Sequence, residues 1–355
     1  MKIRLIGQAN DSGIGTHFHH YTTAIKQING IAEHVELIDF QSKEQLETVV
    51  KESQPNDINI GFVGLNMNGT VKGININWGV FESTIIPKTL MGVYSNHLLW
   101  LPSDWGRKIA IENGINPEQI EVAPEGVDNN TFHPYLKPNK ERPFRFLLVG
   151  KYEIRKSFDE TIMAFAREFG NDPNIQLVIK SDFFKDPELK RQELVNKIAA
   201  LNVNNIKLIW GYKSIQDIAN LYRSSDVFLF PTKAEGWGLP LIEAAACGLP
   251  LITTYYSGQT EFLQDIKSSC EFLPYDLEPI GCPEYQEFYP TDDGNFGKWA
   301  VTTESAIATA MRRVYTNYQA FSTQALKNSE IIRSKYSWAN SAIKSLEILK
   351  KHGLL

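Results

Sequence analysis

Short apolar runs alternate with amphipathic stretches along the whole chain. In its first part, residues 3–6, 35–38, 58–63, 74–78, 98–102 and 120–123 are mostly apolar and short enough to be buried strands, and helical periodicity marks 17–27, 43–52 and 105–113. A second series begins at 144–149 and continues through 176–179, 207–210, 227–230, 251–253 and 299–301, with helices over 158–169 and 241–247. Continuous apolar strands separated by helices predict mostly parallel sheets covered on both faces. Two such series, joined by the proline-bearing stretch 134–143, predict two doubly wound, Rossmann-like α/β domains at 1–140 and 141–335. Open sheets of this kind bind ligands at the carboxyl ends of their strands, and two of them facing each other leave a cleft suited to a small molecule. The last helical pattern, 339–350, carries Ile343, Leu346 and Leu349 on its apolar positions.

Composition narrows this picture only a little. At 355 residues, 43% hydrophobic and 22% charged, the chain fits a globular protein of two domains. A net charge of −5 argues against a dedicated nucleic-acid binder. Cys247, Cys270 and Cys282 are scattered without CxxC spacing, so neither a disulfide framework nor a zinc site is indicated. Met1-Lys-Ile-Arg-Leu-Ile-Gly7 reads as a strand leaving the initiator, with no signal peptide. No run approaches the roughly 18 apolar residues that span a bilayer. A cytoplasmic location is expected, with peripheral contact at the inner face of a membrane left open.

The densest chemistry follows the strand at 227–230. There Glu235-Gly236-Trp237-Gly238-Leu239-Pro240 leads into a helix bearing Glu243. Two carboxylates eight residues apart thus straddle a glycine turn that opens into a helix. Glycines let the backbone turn tightly, and a helix N-terminus offers free N–H groups that favour phosphate. Carboxylates beside such a site accept hydrogen bonds from hydroxyls. A ligand with both phosphates and sugar hydroxyls is a nucleotide sugar.

These residues resemble the Glu-x7-Glu signature of retaining glycosyltransferases of the GT-B fold, family 4 (group 1). The resemblance extends to Asp226-Val-Phe-Leu-Phe-Pro231 before the motif and to Pro250-Leu-Ile-Thr-Thr254 and Ser257-Gly258-Gln259-Thr260-Glu261 after it. Pro102-Ser103-Asp104-Trp105 and 124–134, beginning Pro124-Glu125-Gly126, resemble two further landmarks of that family. Residues 271–298 fit it least. The resemblance implies a terminal helix, 336–355, that crosses back onto the first domain, an acceptor site in that domain and a donor site in the second.

Val149-Gly150-Lys151 ends a strand, and Lys151, Arg155 and Lys156 then cluster before the helix at 158. Cations at that junction would neutralise a diphosphate leaving group. The cluster resembles the family's Gly-Arg-…-Lys-Gly clamp, with Lys151 in place of its arginine and Ser157 in place of its glycine. Lysine keeps the charge but lacks the planar fork. Taken alone, these residues read as a solvated basic loop pairing with Glu153 and Asp159; beside the glutamate motif, the clamp is the preferred reading. Gly211-Tyr212 resembles the base-binding turn, where backbone groups of Tyr212 would meet the nucleobase. Lys180 ends a strand nearby, either as a phosphate contact or as an ordinary loop lysine.

In the first domain, Asp11-Ser-Gly13-Ile-Gly15-Thr16-His17 lacks the third glycine of a dinucleotide fingerprint. It resembles a flexible glycine loop brought up to the donor, with Gly15 on the donor and His17 toward the acceptor. His17, His19 and His20 lack a local Cys, Asp or Glu, so no metal is expected. Phe81-Glu82-Ser83 stands where the family places a group near the transferred sugar. Glu82 is read as an acceptor-side carboxylate or as a cap for the segment after Pro87. Asp292-Asp293 reads as a turn before Gly294.

The resulting expectation is a metal-independent retaining hexosyltransferase that uses a UDP- or GDP-type sugar, needs no cofactor and acts on a saccharide or glycolipid acceptor. Glu235, Lys156 and Lys151 would be catalytic. Arg155, Gly15, Tyr212, Gly236, Gly238, Leu239 and Glu243 would bind the donor. Rival readings are a GT-B epimerase or hydrolase of nucleotide sugars, a dehydrogenase built on Gly13–Gly15 with Glu36 or Asp39 on the ribose, and a non-catalytic nucleotide-sugar-binding subunit.

Overall fold

The computed structural model describes residues 1–355 except 11, 63–66, 68–70, 95–96, 136–141, 184, 282–284 and 286–293, and the side chains of 43, 49, 50 and 89. Most of the stretch 134–143, Cys282, Val63, Asp11 and the pair Asp292-Asp293 therefore lie outside the described residues. The chain divides into two compact units: Met1–Asp128 with Pro279–Lys298 and Tyr336–Leu355, and Asn129–Glu278 with Trp299–Lys335.

The first unit runs β1 (Ile3–Gly7), α1 (Gly13–Ile25), β2 (Val35–Asp39), α2 (Lys43–Glu52), β3 (Ile58–Phe62), β4 (Ile74–Trp78), α3 (Lys88–Tyr94), β5 (Leu98–Leu101), α4 (Asp104–Glu112) and β6 (Ile120–Val122). Its six strands are all parallel in the order β2-β1-β3-β4-β5-β6. Strands buried on both faces need apolar residues throughout, and β1, β3 and β5 are buried along their whole length.

The second unit continues with β7 (Phe144–Lys151), α5 (Phe158–Phe169), β8 (Ile175–Asp182), α6 (Pro187–Ala200), β9 (Ile206–Trp210), α7 (Ile215–Arg223), β10 (Val227–Phe230), α8 (Leu239–Ala246), β11 (Leu251–Thr254), α9 (Thr260–Leu263) and β12 (Cys270–Leu273). Then come β13 (Asp276–Pro279), β14 (Lys298–Val301), α10 (Glu304–Thr316), α11 (Tyr318–Lys335) and α12 (Trp338–Lys351). The second sheet is also six-stranded and parallel, in the order β12-β11-β10-β7-β8-β9. One core joins Phe146, Leu148 and Leu229 of the sheet to Phe165 of α5 and to Met311 and Val314 of α10. Each such side chain contributes about 1.5–3 kcal/mol on full burial.

The structure departs from the sequence expectations in several places. Residues 299–301 do form a strand, but it pairs with β13 in a separate two-stranded sheet, and β12 is the edge of the main sheet. The division between the units falls after Asp128 instead of after 140. Asn129 donates to the carbonyl of Arg333 at 2.7 Å, and Arg223 reaches the carbonyls of Thr131 and His133, which ties this stretch to the second unit. Residues 279–298 join the first unit, where the Ser83 hydroxyl donates to the Phe296 carbonyl and the Lys298 amide donates to Thr84 Oγ1 at 2.9 Å.

The terminal helix α12 packs on α1 within the first unit. Val127 N–H donates to the Tyr336 carbonyl (2.8 Å), Ser341 Oγ to the Pro124 carbonyl (2.7 Å), and the Tyr21 and Ser345 hydroxyls lie 2.6 Å apart. Leu346 and Leu349 are buried, whereas Ile343 is 49% exposed and belongs to the outer face. Among the described residues, no helix is long and apolar enough to cross a membrane.

Candidate functional site

In the second sheet, β7 and β10 lie side by side, while the chain leaves β7 toward β8 and β10 toward β11 on opposite sides. Such a reversal opens a crevice beyond the carboxyl ends of the two strands. Lys151 ends β7, the loop after it carries Arg155 and Lys156, and the loop after β10 carries Glu235. Topology therefore brings together residues that are far apart in sequence.

Their side chains converge on one atom. Glu235 Oε1 accepts from Arg155 Nη1 at 2.7 Å, Lys156 Nζ at 2.5 Å and Thr232 Oγ1 at 2.6 Å. All four residues are buried, Glu235 to 4% exposure. Burial alone would push the carboxyl up. The Arg155 and Lys156 charges, with the hydrogen bonds from Lys156 and Thr232, outweigh it and hold the group below the ordinary carboxylate range. Arg155 also donates to the Ala234 carbonyl (2.6 Å) and faces Glu153 at 3.3 Å, and the Lys156 ammonium sits 4.8 Å over the Phe230 ring. Within the trio Glu235, Arg155 and Lys156, positive charge exceeds negative by one.

Two backbone features frame this cluster. Ser157 caps α5 with φ 53°, the left-handed region where a glycine is at home, which accounts physically for the residue expected there. Gly238 caps α8 at φ 98°, a conformation a side chain rarely adopts, with Pro240 in the first turn of the helix. Gly236 lies in the turn between Glu235 and this cap. The Glu235 amide donates to Ser257 Oγ (2.8 Å) and the Gly258 amide to the Glu235 carbonyl (2.9 Å), so the loop after β11 clamps the turn. The α8 N-terminus, with Leu239 its first residue, is held at the end of β10.

Glu243 lies on α8, partly exposed, and accepts from the Tyr222 hydroxyl at 3.0 Å. Burial pushes the Tyr222 hydroxyl well up, and the adjacent carboxylate adds to this, so Tyr222 stays a donor. Tyr212 follows β9 and is 68% exposed. Lys151 ends β7 in register with Asp182 of β8. Lys180 lies within β8 and not in a loop, and its Nζ is 2.5 Å from Asp182 Oδ2. Sequence reasoning missed Thr232 and Tyr222. Neither hydroxyl carries a spacing signal, and only the folded chain shows which carboxylate each meets.

Three expected residues lie in the first unit. Gly13 and Gly15 begin α1 instead of forming a loop ahead of it, because Ser12 Oγ accepts the Gly15 amide at 3.1 Å and caps the helix. A Cβ on Gly15 would come within 2.3 Å of the Asn10 carbonyl oxygen, so packing alone demands glycine there. Glu82 lies between β4 and α3, partly exposed and well before the helix start at Lys88, so it is not that helix's cap.

His17, expected toward the acceptor, sits in an aromatic cage. It is 4% exposed and enclosed by Phe62, Trp78 and Trp338, whose ring centroids lie 5.0, 4.5 and 5.3 Å away. Its Nδ1 is 3.6 Å from Glu125 Oε1. Burial, with His20 nearby, lowers the imidazole to about 3, while burial raises the Glu125 carboxyl to about 8. Near neutrality both are uncharged. Among the described residues, no group of three or more His, Cys, Asp or Glu could hold a metal ion.

Known proteins supply an independent view. Residues 132–273 match the family model described as glycosyl transferases group 1. Mannosylfructose-phosphate synthase of Agrobacterium fabrum is 23% identical over 186 residues, covering 49% of this chain and 41% of that protein. UDP-Gal:alpha-D-GlcNAc-diphosphoundecaprenol alpha-1,3-galactosyltransferase of Escherichia coli is 28% identical over 155 residues, covering 41% of this chain and 38% of that protein. The chain thus spans about two fifths of the length of these curated relatives. Among solved structures, HepE of Anabaena in complex with UDP and glucose superimposes with a TM-score of 0.74 at 15% identity, covering 99% of this chain and all (100%) of that one. Sucrose-phosphate synthase of Thermosynechococcus elongatus gives 0.74 at 15% identity, covering 99% and 98%. The fold is GT-B.

Proposed function

We propose that this chain, a group 1 glycosyl transferase through residues 132–273, moves a hexose from a UDP- or GDP-linked donor to a hydroxyl of a saccharide or glycolipid with retention of anomeric configuration. The observation that carries the proposal is the convergence of Arg155 and Lys156 on Glu235 at the switch point of the second sheet. In the transition state for glycosyl transfer, negative charge grows on the leaving diphosphate and positive charge on the sugar ring. Arg155, Lys156 and Lys151, with the amides at the N-terminus of α8, would stabilise the first. Glu235, held ionised, would hold the donor sugar and offset the second. Glu243 would accept hydrogen bonds from the ribose, and the backbone at Tyr212 would meet the base. With these cations offsetting the charge on the diphosphate, transfer would need no metal ion or cofactor. The acceptor hydroxyl would approach from the leaving-group face and pass its proton to a phosphate oxygen.

HepE was solved with UDP-glucose, and the galactosyltransferase acts on a diphosphoundecaprenol-linked sugar. Both support a nucleotide-sugar donor, and the second supports a role in glycoconjugate synthesis; the proposed site of action is the cytoplasmic side, with peripheral membrane contact. The test is transfer from UDP- and GDP-hexoses in the presence of chelator, with the anomeric proton of the product followed by NMR. A product with the donor's configuration supports the proposal. Inversion, a strict metal requirement, or release of free or epimerised sugar without transfer would sink it, the last in favour of a hydrolase or epimerase.

A further inference from the structure

Thr232 is fully buried just beyond β10, and its hydroxyl has a single proton to give. The Glu235 carboxylate oxygen at 2.6 Å is a nearer acceptor than the Ala234 carbonyl at 3.1 Å or the Arg155 carbonyl at 3.4 Å. A charged acceptor also makes the stronger bond. Thr232 is itself fixed from behind. Thr254 Oγ1 donates to the Thr232 carbonyl (2.7 Å), and Gln259 Nε2 donates to the Thr254 carbonyl (2.6 Å). A buried polar chain therefore runs from Gln259 through Thr254 and Thr232 to Glu235.

The hydrogen bonds that the described residues make to the Glu235 side chain all fall on Oε1. Arg155 and Lys156 are long side chains attached to another loop, whereas Thr232 is three residues from Glu235 on a stem with one torsion. We propose that Thr232 is a positioning residue: its hydroxyl pins Oε1, so that Glu235 keeps one rotamer and directs Oε2 to the ligand whether or not the two cations turn toward a phosphate. This rests on the glycosyltransferase reading for its consequence, but not for its geometry.

The test compares Thr232→Val, which keeps the shape and loses the hydroxyl, with Thr232→Ser, which keeps the hydroxyl. The first readout is independent of turnover: the side-chain carboxyl carbon of Glu235 is titrated by NMR in the full chain. The Thr232→Val variant should titrate at higher pH than wild type, and Thr232→Ser should return to the wild-type midpoint. The second readout is kinetic. Loss of one hydrogen bond to a charged group should lower kcat with the sugar donor about tenfold or more, while the dissociation constant for the bare nucleoside diphosphate stays within about twofold. An unmoved midpoint in a folded Thr232→Val variant would overturn the proposal. So would equal losses in nucleotide affinity and kcat, or failure of Thr232→Ser to rescue. If wild type transfers no sugar, the functional reading falls and the titration alone decides the role of Thr232.

Discussion

Each unit buries one glutamate against nitrogen-bearing side chains, and the two pairs end in opposite states. In the first unit Glu125 meets one imidazole at 3.6 Å inside a wall of aromatic rings, with its carboxyl raised to about 8 and His17 lowered to about 3. In the second unit Glu235 receives a guanidinium, an ammonium and a hydroxyl on one oxygen and is held ionised. Burial is nearly the same for both. What differs is the supply of permanent charge and of donors: a neutralisable imidazole at more than hydrogen-bond distance cannot offset desolvation, whereas two fixed cations can. The first pair is packing beneath the terminal helix. The second is a buried cluster that keeps its charges at the switch point of the second sheet.

Replacing each glutamate by glutamine should therefore act with opposite sign. Glu235→Gln removes the carboxylate on which Arg155 and Lys156 converge, and sugar transfer should fall on the order of 10²–10³-fold. The same variant should lose about 3 kcal/mol of stability in urea unfolding at neutral pH, as breaking one side of a buried ion pair does. A loss of stability no larger than that of a surface substitution would erase the distinction between the two units.

Glu125→Gln should instead change the pH profile of stability. Between pH 4.5 and about 8 the unfolded chain has released the Glu125 proton and the folded chain keeps it, so this group makes stability fall as pH rises, by roughly 1.4 kcal/mol per unit. His17 acts the other way between about 3 and 6.5, where only the unfolded chain binds the proton, so its term makes stability rise with pH. From these two groups, stability should rise from pH 3 to 4.5, stay level to 6.5 and fall to 8. Glu125→Gln removes the fall, leaving the His17 rise to pH 6.5 and a plateau beyond it. Urea midpoints at pH 5, 6.5 and 8 test this. An unchanged fall above 6.5 would show that Glu125 is ionised in the fold.

Tyr222 with Glu243 is the intermediate case, a neutral donor on a partly exposed carboxylate. Tyr222→Phe should cost about 1–2 kcal/mol and reduce nucleotide affinity less than Glu243→Ala does. A Tyr222→Phe effect as large as that of Glu235→Gln would place the dominant electrostatics at the wrong glutamate.

The contrast also explains what was legible in the sequence. Strands buried on both faces announce themselves as apolar runs, and eleven of the twelve strands in the two main sheets were readable this way. The twelfth, Cys270-Glu-Phe-Leu273, is a short edge strand with a glutamate in it, while Trp299–Val301 has the apolar look of a core strand and pairs elsewhere. The start of α1 is not legible because Gly13 and Gly15 suggest a loop, and only the approach of Asn10 shows why a glycine stands at 15 in the first turn of a helix. At the candidate site, Glu235, Glu243 and Lys156 were visible because turn, helix and charge coincide over short spacings. Thr232 and Tyr222 were not, since a hydroxyl reveals its role only through the atom it meets. The cage around His17 was hidden for a related reason. The rings that enclose it come from residues 62, 78 and 338, and no local pattern predicts their meeting.

The central claim is that the second unit holds a nucleoside-diphosphate site organised by Glu235, Arg155, Lys156 and Glu243. The most direct measurement is a thermal-unfolding screen of the full chain against UDP, GDP, ADP and NAD, each with magnesium and with chelator, repeated on Glu243→Ala. A ligand at about 100 times its dissociation constant adds roughly 2.7 kcal/mol of stability. The account predicts that UDP or GDP stabilises the wild type equally under both conditions and stabilises the variant far less. Stabilisation by NAD alone, or by no nucleotide at all, would contradict it.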